Sequence, residues 1–123
     1  MVVQLDDDPA RHMTVANLCV ANARYFGGGM KIAPNAKLAD GKFDVVSIGD
    51  LGAARILANA PRLYVGAHLS MSDVGHALAA KVSARSSDKN ETVEVEVDGE
   101  IPGRLPATFQ ILPKALRVRS PLK

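Results

Sequence analysis

The strongest constraint on the fold is a strict alternation of valines with polar residues from Thr92 to Asp98. A period of two residues is that of a half-buried antiparallel β-strand, because successive side chains point to opposite faces. Gly99 ends the alternation. The pattern therefore predicts a strand with a valine face toward a core and an acidic face, with Glu94, Glu96 and Asp98, toward solvent.

Other runs of β-branched and apolar residues predict five further strands and one helix. The strands are expected over residues 13–20, 43–48, 80–86, 108–112 and 115–119, and the first should be buried on both sides because it has no polar face. Asp50 has the place of an N-cap before a helix over residues 51–60, which Pro61 would end. Consecutive strands without a βαβ rhythm predict a mainly antiparallel β-sandwich with one short helix, as one domain over residues 1–123.

The charge balance argues against a nucleic-acid partner. The 15 lysine and arginine residues and 13 acidic residues are spread along 123 residues, for a formal net charge of +2. The densest basic stretch, with Lys114, Arg117, Arg119 and Lys123, is typical of a solvated tail rather than a phosphate-binding face. An oligonucleotide-binding barrel would also need stacking aromatic residues on a basic surface, and the aromatic residues here do not cluster with basic ones.

Cysteine and histidine offer neither a disulfide nor a zinc site. Cys19 is the single cysteine, which suits a reducing, cytoplasmic compartment, and its apolar surroundings predict a buried side chain without a catalytic role. His68 is expected to be a structural hydrogen-bonding group, and no histidine pair has the spacing of zinc ligands. Charged residues interrupt every apolar run, so we expect a soluble domain that could meet a membrane only peripherally.

Two loop motifs admit both a structural and a chemical interpretation. Gly27, Gly28 and Gly29 allow backbone angles or close approaches that a Cβ forbids, which fits a β-bulge or packed corner better than a phosphate loop, because no helix start follows. Asp40 and Gly41 form a strong turn motif. A turn carboxylate beside free carbonyls is also a source of oxygen ligands for Mg²⁺.

The third motif, Asp98-Gly99-Glu100, ends the alternating strand. Two neighbouring carboxylates at a strand end could supply a general base and a metal ligand. A hairpin turn with a solvated acidic face explains the same residues, and the spacing alone does not separate the two interpretations.

Taken in order, these motifs resemble the C-terminal domain of the diacylglycerol kinase, sphingosine kinase and bacterial lipid kinase family. The matching segments are residues 22–30 with the three glycines, residues 32–36, Asp40-Gly41, Gly66-x-His68, residues 97–100 and residues 112–118. Each motif is weak alone, but several in the same order and at similar spacing are hard to obtain by chance.

The resemblance implies part of an enzyme that moves the γ-phosphate of ATP onto a lipid hydroxyl, such as that of diacylglycerol. Glu100 would be the proton acceptor for that hydroxyl, with Asp98 as its close partner. Asp40 would bind a structural Mg²⁺ together with the backbone carbonyls of Lys37 and Lys42.

The same resemblance implies a partner that this chain lacks. The family binds ATP in an N-terminal domain with a Gly-Gly-Asp-Gly-Thr motif, which is absent here, and Gly27 to Gly29 would line the cleft between the two domains. We therefore expect the isolated chain to have no kinase activity and to be prone to self-association through its exposed half-cleft. Met1 lies directly before a strand-like run, which suggests a truncated reading frame or an excised piece.

An alternative function is a non-catalytic lipid-binding or regulatory β-sandwich that has kept the family fold. It would have a closed apolar cavity and would tolerate Glu100→Ala, whereas the enzyme interpretation requires Asp98 and Glu100 to face an open cleft.

Overall fold

The structure is a computed structural model that describes residues 1–121, so Lys123 of the basic tail lies outside it. The described residues form nine strands, which are β1 (Val2–Leu5), β2 (Arg11–His12), β3 (Val15–Ala21), β4 (Phe43–Gly49), β5 (Val74–Ala79), β6 (Lys81–Arg85), β7 (Glu94–Val97), β8 (Glu100–Arg104) and β9 (Ala107–Gln110). A helix, α1, covers Ala53–Val65, and a 3-10 turn over Ala67–Ser70 follows it.

The main core lies between two antiparallel sheets. One sheet has the strand order β2-β1-β6-β9 and the other the order β3-β4-β5, while β7 and β8 form a separate hairpin. The core joins buried side chains from both sheets, which are Val3, Val82 and Ala84 of the first and Val45 and Ala79 of the second. The predicted antiparallel β-sandwich with one helix is therefore confirmed.

A second core covers the opposite face of β4. Val46 is fully buried there against Ala21 and a loop segment that contributes Ile32, Ala33 and Ala36. Leu63 of α1 packs at the edge of this cluster. Because Val45 and Val46 are adjacent, their side chains point to opposite faces, and β4 is buried on both.

The strand with both faces fully buried is β4, whereas the first apolar run is buried on both sides only in part. That run forms β3, over Val15–Ala21, which pairs only with β4 and lies at the edge of its sheet. Leu18 and Val20 pack against the main core and Ala21 belongs to the second, so both faces of its second half are covered. Ala16 and Asn17 are exposed, so the prediction fails for the first half.

The helix was predicted at the right place but with wrong ends. It begins after Gly52, without a side-chain cap, and Asp50 does not take that role. Pro61 lies inside the helix and removes one N–H donor without ending it. The helix ends at Gly66, whose φ of 75° suits glycine and whose N–H bonds the carbonyl of Arg62.

Three strands, β2, β5 and β8, were missed, and one was predicted wrongly. β5 contains Gly75 and mostly small residues, and it is held by a continuous antiparallel register with β4 rather than by propensity. β8 contains Pro102 and Gly103. Residues 115–119 form no strand, and Leu116 is 85% exposed, because no strand within the described residues lies beside the tail to bond its backbone.

One carboxylate ties the end of β1 to the start of β6. Asp6 has a φ of 49°, and its Oδ1 accepts hydrogen bonds from the backbone N–H groups of Ala80 and Lys81, at 2.9 Å each. We expect Asp6→Ala to lower the free energy of unfolding by about 1–3 kcal/mol in urea denaturation, because two donors lose their acceptor.

Asp6→Asn is expected to recover most of that loss, since an amide oxygen accepts the same bonds and asparagine tolerates positive φ. The exposed neighbour Asp7 supplies the control variant Asp7→Ala. Equal destabilisation by Asp6→Ala and Asp7→Ala would contradict this role.

Candidate functional site

Asp98 and Glu100 lie at the tip of the β7–β8 hairpin. Val97 pairs with Glu100, so Asp98 and Gly99 are the two turn residues, with φ values of 51° and 86°. Positive φ at both central positions is the mark of a type I′ turn, for which Asp-Gly is a favoured pair. Both carboxylate side chains are exposed.

The acidic residues of this hairpin are accompanied by one basic residue on the opposite strand. Arg104 of β8 lies directly opposite Glu94 of β7, so one acidic residue has a basic cross-strand neighbour. Within residues 1–121 neither Asp98 nor Glu100 forms an ion pair. Counting back from the Asp-Gly turn would have placed Gly103 opposite Glu94, because the register shifts by one residue between Val95 and Val97.

The hairpin is not buried as its alternation predicted. Val95 is half-buried, but Val97 is 45% exposed and Ile101 is 60% exposed. The reason is that β7 pairs only with β8, and the hairpin is tied back at its base by Leu105 N–H donating to the carbonyl of Val93 at 2.9 Å. An open hollow lies beside the tip, lined by Val97, Asp98, Glu100 and Pro102.

The three glycines form an exposed turn. Phe26 and Met30 bond each other across it, and Gly27, Gly28 and Gly29 all have positive φ. No heavy atom within the described residues lies within 4 Å of a Cβ placed on Gly28 or Gly29. The glycines are therefore needed for backbone angles and not for close packing, which corrects the expectation of a packed corner.

Asp40 occupies a tight turn before β4. Its Oδ1 accepts a hydrogen bond from Lys42 N–H at 3.0 Å, and Gly41 has a φ of 70°. Residues 1–121 hold no group of three or more His, Cys, Asp or Glu side chains suited to a metal. One carboxylate with backbone carbonyls is still a donor set that fits Mg²⁺, because this ion keeps several of its waters.

His68 forms a hydrogen bond to the loop that follows the glycine turn. It is 2% exposed, and its Nε2–H donates to the carbonyl of Ile32 at 2.8 Å, as expected for a structural histidine. Lys31 N–H donates to the carbonyl of Leu63 at 2.7 Å, and Arg24 Nε to that of Ala36 at 3.1 Å. The Lys31 and His68 bonds join the segment after the glycines to the end of α1 and the 3-10 turn that follows it, and the Arg24 bond joins the residues before and after the glycines.

A buried carboxylate in β4 was missed in the sequence. Asp44 is 2% exposed, and its Oδ1 lies 2.7 Å from His76 Nε2 on β5. Because His76 lies in a strand that propensity did not predict, no sequence signal linked the two residues. The pair gives the buried carboxylate a partner, as burial of a charge requires.

Cys19 lies in β3, and burial raises the pKa of its thiol from 9.0 to about 11. A thiol with a raised pKa is a poor nucleophile at neutral pH, which agrees with assigning it no catalytic role. Within residues 1–121 no helix is long and apolar enough to cross a membrane.

The family model described as the YegS C-terminal NAD kinase beta sandwich-like domain matches residues 1–120, and the chain belongs to this family.

Relatives and a solved structure agree with that assignment. The chain is 33% identical over 110 residues to a diacylglycerol kinase of Mycobacterium tuberculosis, covering 87% of this chain and 34% of the relative. It is 30% identical over 95 residues to a diacylglycerol kinase of Bacillus subtilis, covering 77% and 30%. A structure of a proposed diacylglycerol kinase from Bacillus anthracis is 25% identical with a TM-score of 0.69, covering 91% and 37%. The chain thus spans about a third of these proteins, which confirms the resemblance to their C-terminal part.

Two glycines with positive φ should respond differently to a methyl group. Gly28 faces open space, whereas a Cβ on Gly66 would lie 2.9 Å from Pro34 Cβ. We expect Gly28→Ala to cost about 1 kcal/mol of unfolding free energy, from backbone strain alone. Gly66→Ala should cost roughly 3 kcal/mol, from strain and overpacking together. Urea denaturation of both variants measures the difference, and equal losses would refute the assignment of open space at Gly28.

Proposed function

We propose that this chain is the C-terminal domain of an ATP-dependent lipid kinase, supplying the general base and the acceptor-lipid side of the site. The observation that supports this most is the position of Glu100, which lies exposed at the tip of a hairpin beside an open hollow in a chain related to diacylglycerol kinases. A base for a lipid hydroxyl must be reachable from outside the domain, and Glu100 is.

The proposed reaction uses Glu100 as the proton acceptor. The lipid hydroxyl oxygen would attack the γ-phosphorus of ATP, the bond to the bridging oxygen would break, and ADP would leave. The hydroxyl proton would pass to the Glu100 carboxylate. Asp98, two residues away in the same turn, would accept hydrogen bonds from the substrate and so hold it in place.

Residues outside the hairpin would bind ATP and Mg²⁺. The nucleotide would be bound mainly by the part of the enzyme that precedes the matched region in the relatives, with Gly27 to Gly29 lining the cleft between the two parts. Mg²⁺ would be held by Asp40 and the backbone carbonyls of Lys37 and Lys42, and would order this loop by neutralising its carboxylate.

The alternative, a non-catalytic lipid-binding sandwich, would hold its ligand in a closed apolar cavity. Two hollows among the described residues, one beside Glu100 and one on the four-stranded sheet near Ser83 and Thr108, are both open and would not enclose a lipid.

The role of Glu100 can be tested in a fusion protein, defined as the N-terminal region of the M. tuberculosis diacylglycerol kinase followed by this chain. We expect the fusion to phosphorylate diacylglycerol and the isolated chain to do so no faster than background. Glu100→Gln should lower kcat of the fusion by about 100-fold or more, because a general base contributes that much, and should leave the KM for ATP nearly unchanged.

The matched control is Glu94→Gln on the same hairpin, where Arg104 is the cross-strand neighbour. It removes the same charge from the other strand of the same exposed hairpin and should change kcat less than about twofold. Equal losses for the two variants, or a folded fusion without activity, would contradict the proposal.

The Mg²⁺ role of Asp40 has a separate readout. In the fusion we expect Asp40→Asn to raise the Mg²⁺ concentration for half-maximal activity by about tenfold, because one ligand charge is lost. Added Mg²⁺ should also raise the Tm of the fusion but not of the variant. Asp50→Asn, at another exposed carboxylate, is the control. An unchanged Mg²⁺ response in Asp40→Asn would refute the assignment.

A further inference from the structure

The open hollow near Ser83 and Thr108 lies on the outer face of the four-stranded sheet. Val3, Val82 and Ala84 point from this sheet into the main core, so the residues that alternate with them point outward. The hollow has a volume of about 180 Å³, and the residues that line it include Val2, Gln4, Ser83, Arg85, Pro106 and Thr108. It is formed by the neighbouring strands β1, β6 and β9 and is separate from the hollow beside Glu100.

The sheet around this hollow carries basic side chains and no acidic one. Its four strands contain Arg11, His12, Lys81 and Arg85, and these described strands hold neither aspartate nor glutamate. Val2 pairs with His12 on one side and with Arg85 on the other, and residues directly opposite one another share a face of a sheet. Both basic residues therefore lie beside the outward-facing Val2. In a chain with a net charge of only +2, this is a local excess of positive charge.

Polar groups that line the hollow have hydrogen-bond donors available for a ligand. Within residues 1–121 the Arg85 guanidinium forms no ion pair. Ser83 Oγ and Thr108 Oγ1 lie 3.0 Å apart, and because their mutual bond uses only one of the two hydroxyl hydrogens, the other can donate to a ligand. The acidic turn of residues 6–8 follows β1 at the end away from Arg85.

The hollow also lies where the chain leaves the sheet to form the hairpin that carries Glu100. Arg85 is the last residue of β6 and Ala107 is the first of β9, with β7 and β8 between them in the chain. A ligand held by Arg85 and Thr108 would therefore bridge the two strands from which the hairpin projects.

We propose that this hollow is a binding site for the phosphate group of a phosphomonoester. The planar guanidinium of arginine can donate two parallel hydrogen bonds to two phosphate oxygens, and a hydroxyl of Ser83 or Thr108 can donate to a third. A carboxylate has only two oxygens and would leave one of these donors unused. The site goes beyond the proposed function and does not depend on it.

The dimensions of the hollow suit such a group. Ser83 and Arg85 are two residues apart in β6, a separation of about 7 Å along the strand, which one phosphate group can span through the long arginine side chain. The volume of about 180 Å³ equals that of about six liquid water molecules. It accommodates a phosphate group together with a small organic group attached to it.

NMR titration of the ¹⁵N-labelled chain tests the site directly. Glycerol 3-phosphate is the probe, with sodium chloride adjusted to hold the ionic strength constant. We expect saturable shifts of the amide signals of Ser83, Arg85 and Thr108, with a Kd on the order of 1 mM, because few atoms make contact in an open hollow. Acetate should bind at least about tenfold more weakly, because it has less charge and fewer oxygens. Shifts that rise without saturation, or acetate binding as tightly, would overturn the proposal.

Variants at Arg85 separate a specific contact from the effect of general charge. Arg85→Gln should weaken binding of glycerol 3-phosphate by about tenfold or more, whereas Arg85→Lys, which keeps the charge but not the planar fork, should weaken it by about threefold. Arg11→Gln is the matched control, because Arg11 is also an exposed arginine of this sheet but pairs with the core-facing Val3. It should change the affinity less than about twofold, because salt screens its charge. Equal weakening by Arg85→Gln and Arg11→Gln would assign the shifts to net charge and overturn the site.

Two sources of the phosphate group give different results. Sedimentation of the chain with vesicles of equal parts phosphatidylcholine and phosphatidic acid, reversed by glycerol 3-phosphate and lost in Arg85→Gln, would support the site and identify a lipid headgroup as its ligand. Saturable shifts without sedimentation would support it with a soluble phosphomonoester as ligand. Sedimentation without any saturable shift from glycerol 3-phosphate would place the lipid contact elsewhere and overturn the proposal.

Discussion

The structure depends on one strand, β4, that must be buried on both faces. Val45 faces the core between the two sheets and Val46 faces the loop and helix side. A shift of one residue in its register would exchange these two faces and place Asp44 in the sandwich core. Pairing of Asp44 with His76 fixes the correct register chemically, because a buried carboxylate without a partner is costly. Strands β3 and β5 pair with β4 on either side, and both cores pack against it.

Local signals predicted those parts of the fold that depend on local physics. A hairpin turn at Asp98-Gly99 was one of the two interpretations of that motif, and it forms because this residue pair accepts positive φ at both positions. The strand β5 was missed because its small residues have low propensity, and only β4 beside it makes it a strand. Residues 115–119 show the opposite error, a predicted strand that does not form. The cause is the same, because a strand-like composition is not sufficient without a neighbouring strand to bond.

The candidate site was predictable as a set of motifs, but its surroundings were not. Motif order pointed to Glu100 and Asp40, and the structure places the former in a hairpin tip and the latter in a turn. The exposure of the hairpin could not be inferred, because the alternation of β7 is identical whether its valines meet a core of this chain or another surface. The pairing of Arg104 with Glu94 could not be inferred, because it depends on a register shift between Val95 and Val97 in a hairpin whose second strand was concealed by its proline and glycine.

The least supported elements of the fold, α1 and the β7–β8 hairpin, are also those that carry the apolar and acidic groups without partners. A two-stranded hairpin and a short helix are each marginal when isolated. In bulk water, an exposed carboxylate acts on a substrate only weakly, because solvent screens its charge. Burial against a second polypeptide would strengthen both the packing of the helix and the electrostatics around Glu100 at once. Both effects would follow from one physical change, the removal of water from these exposed surfaces.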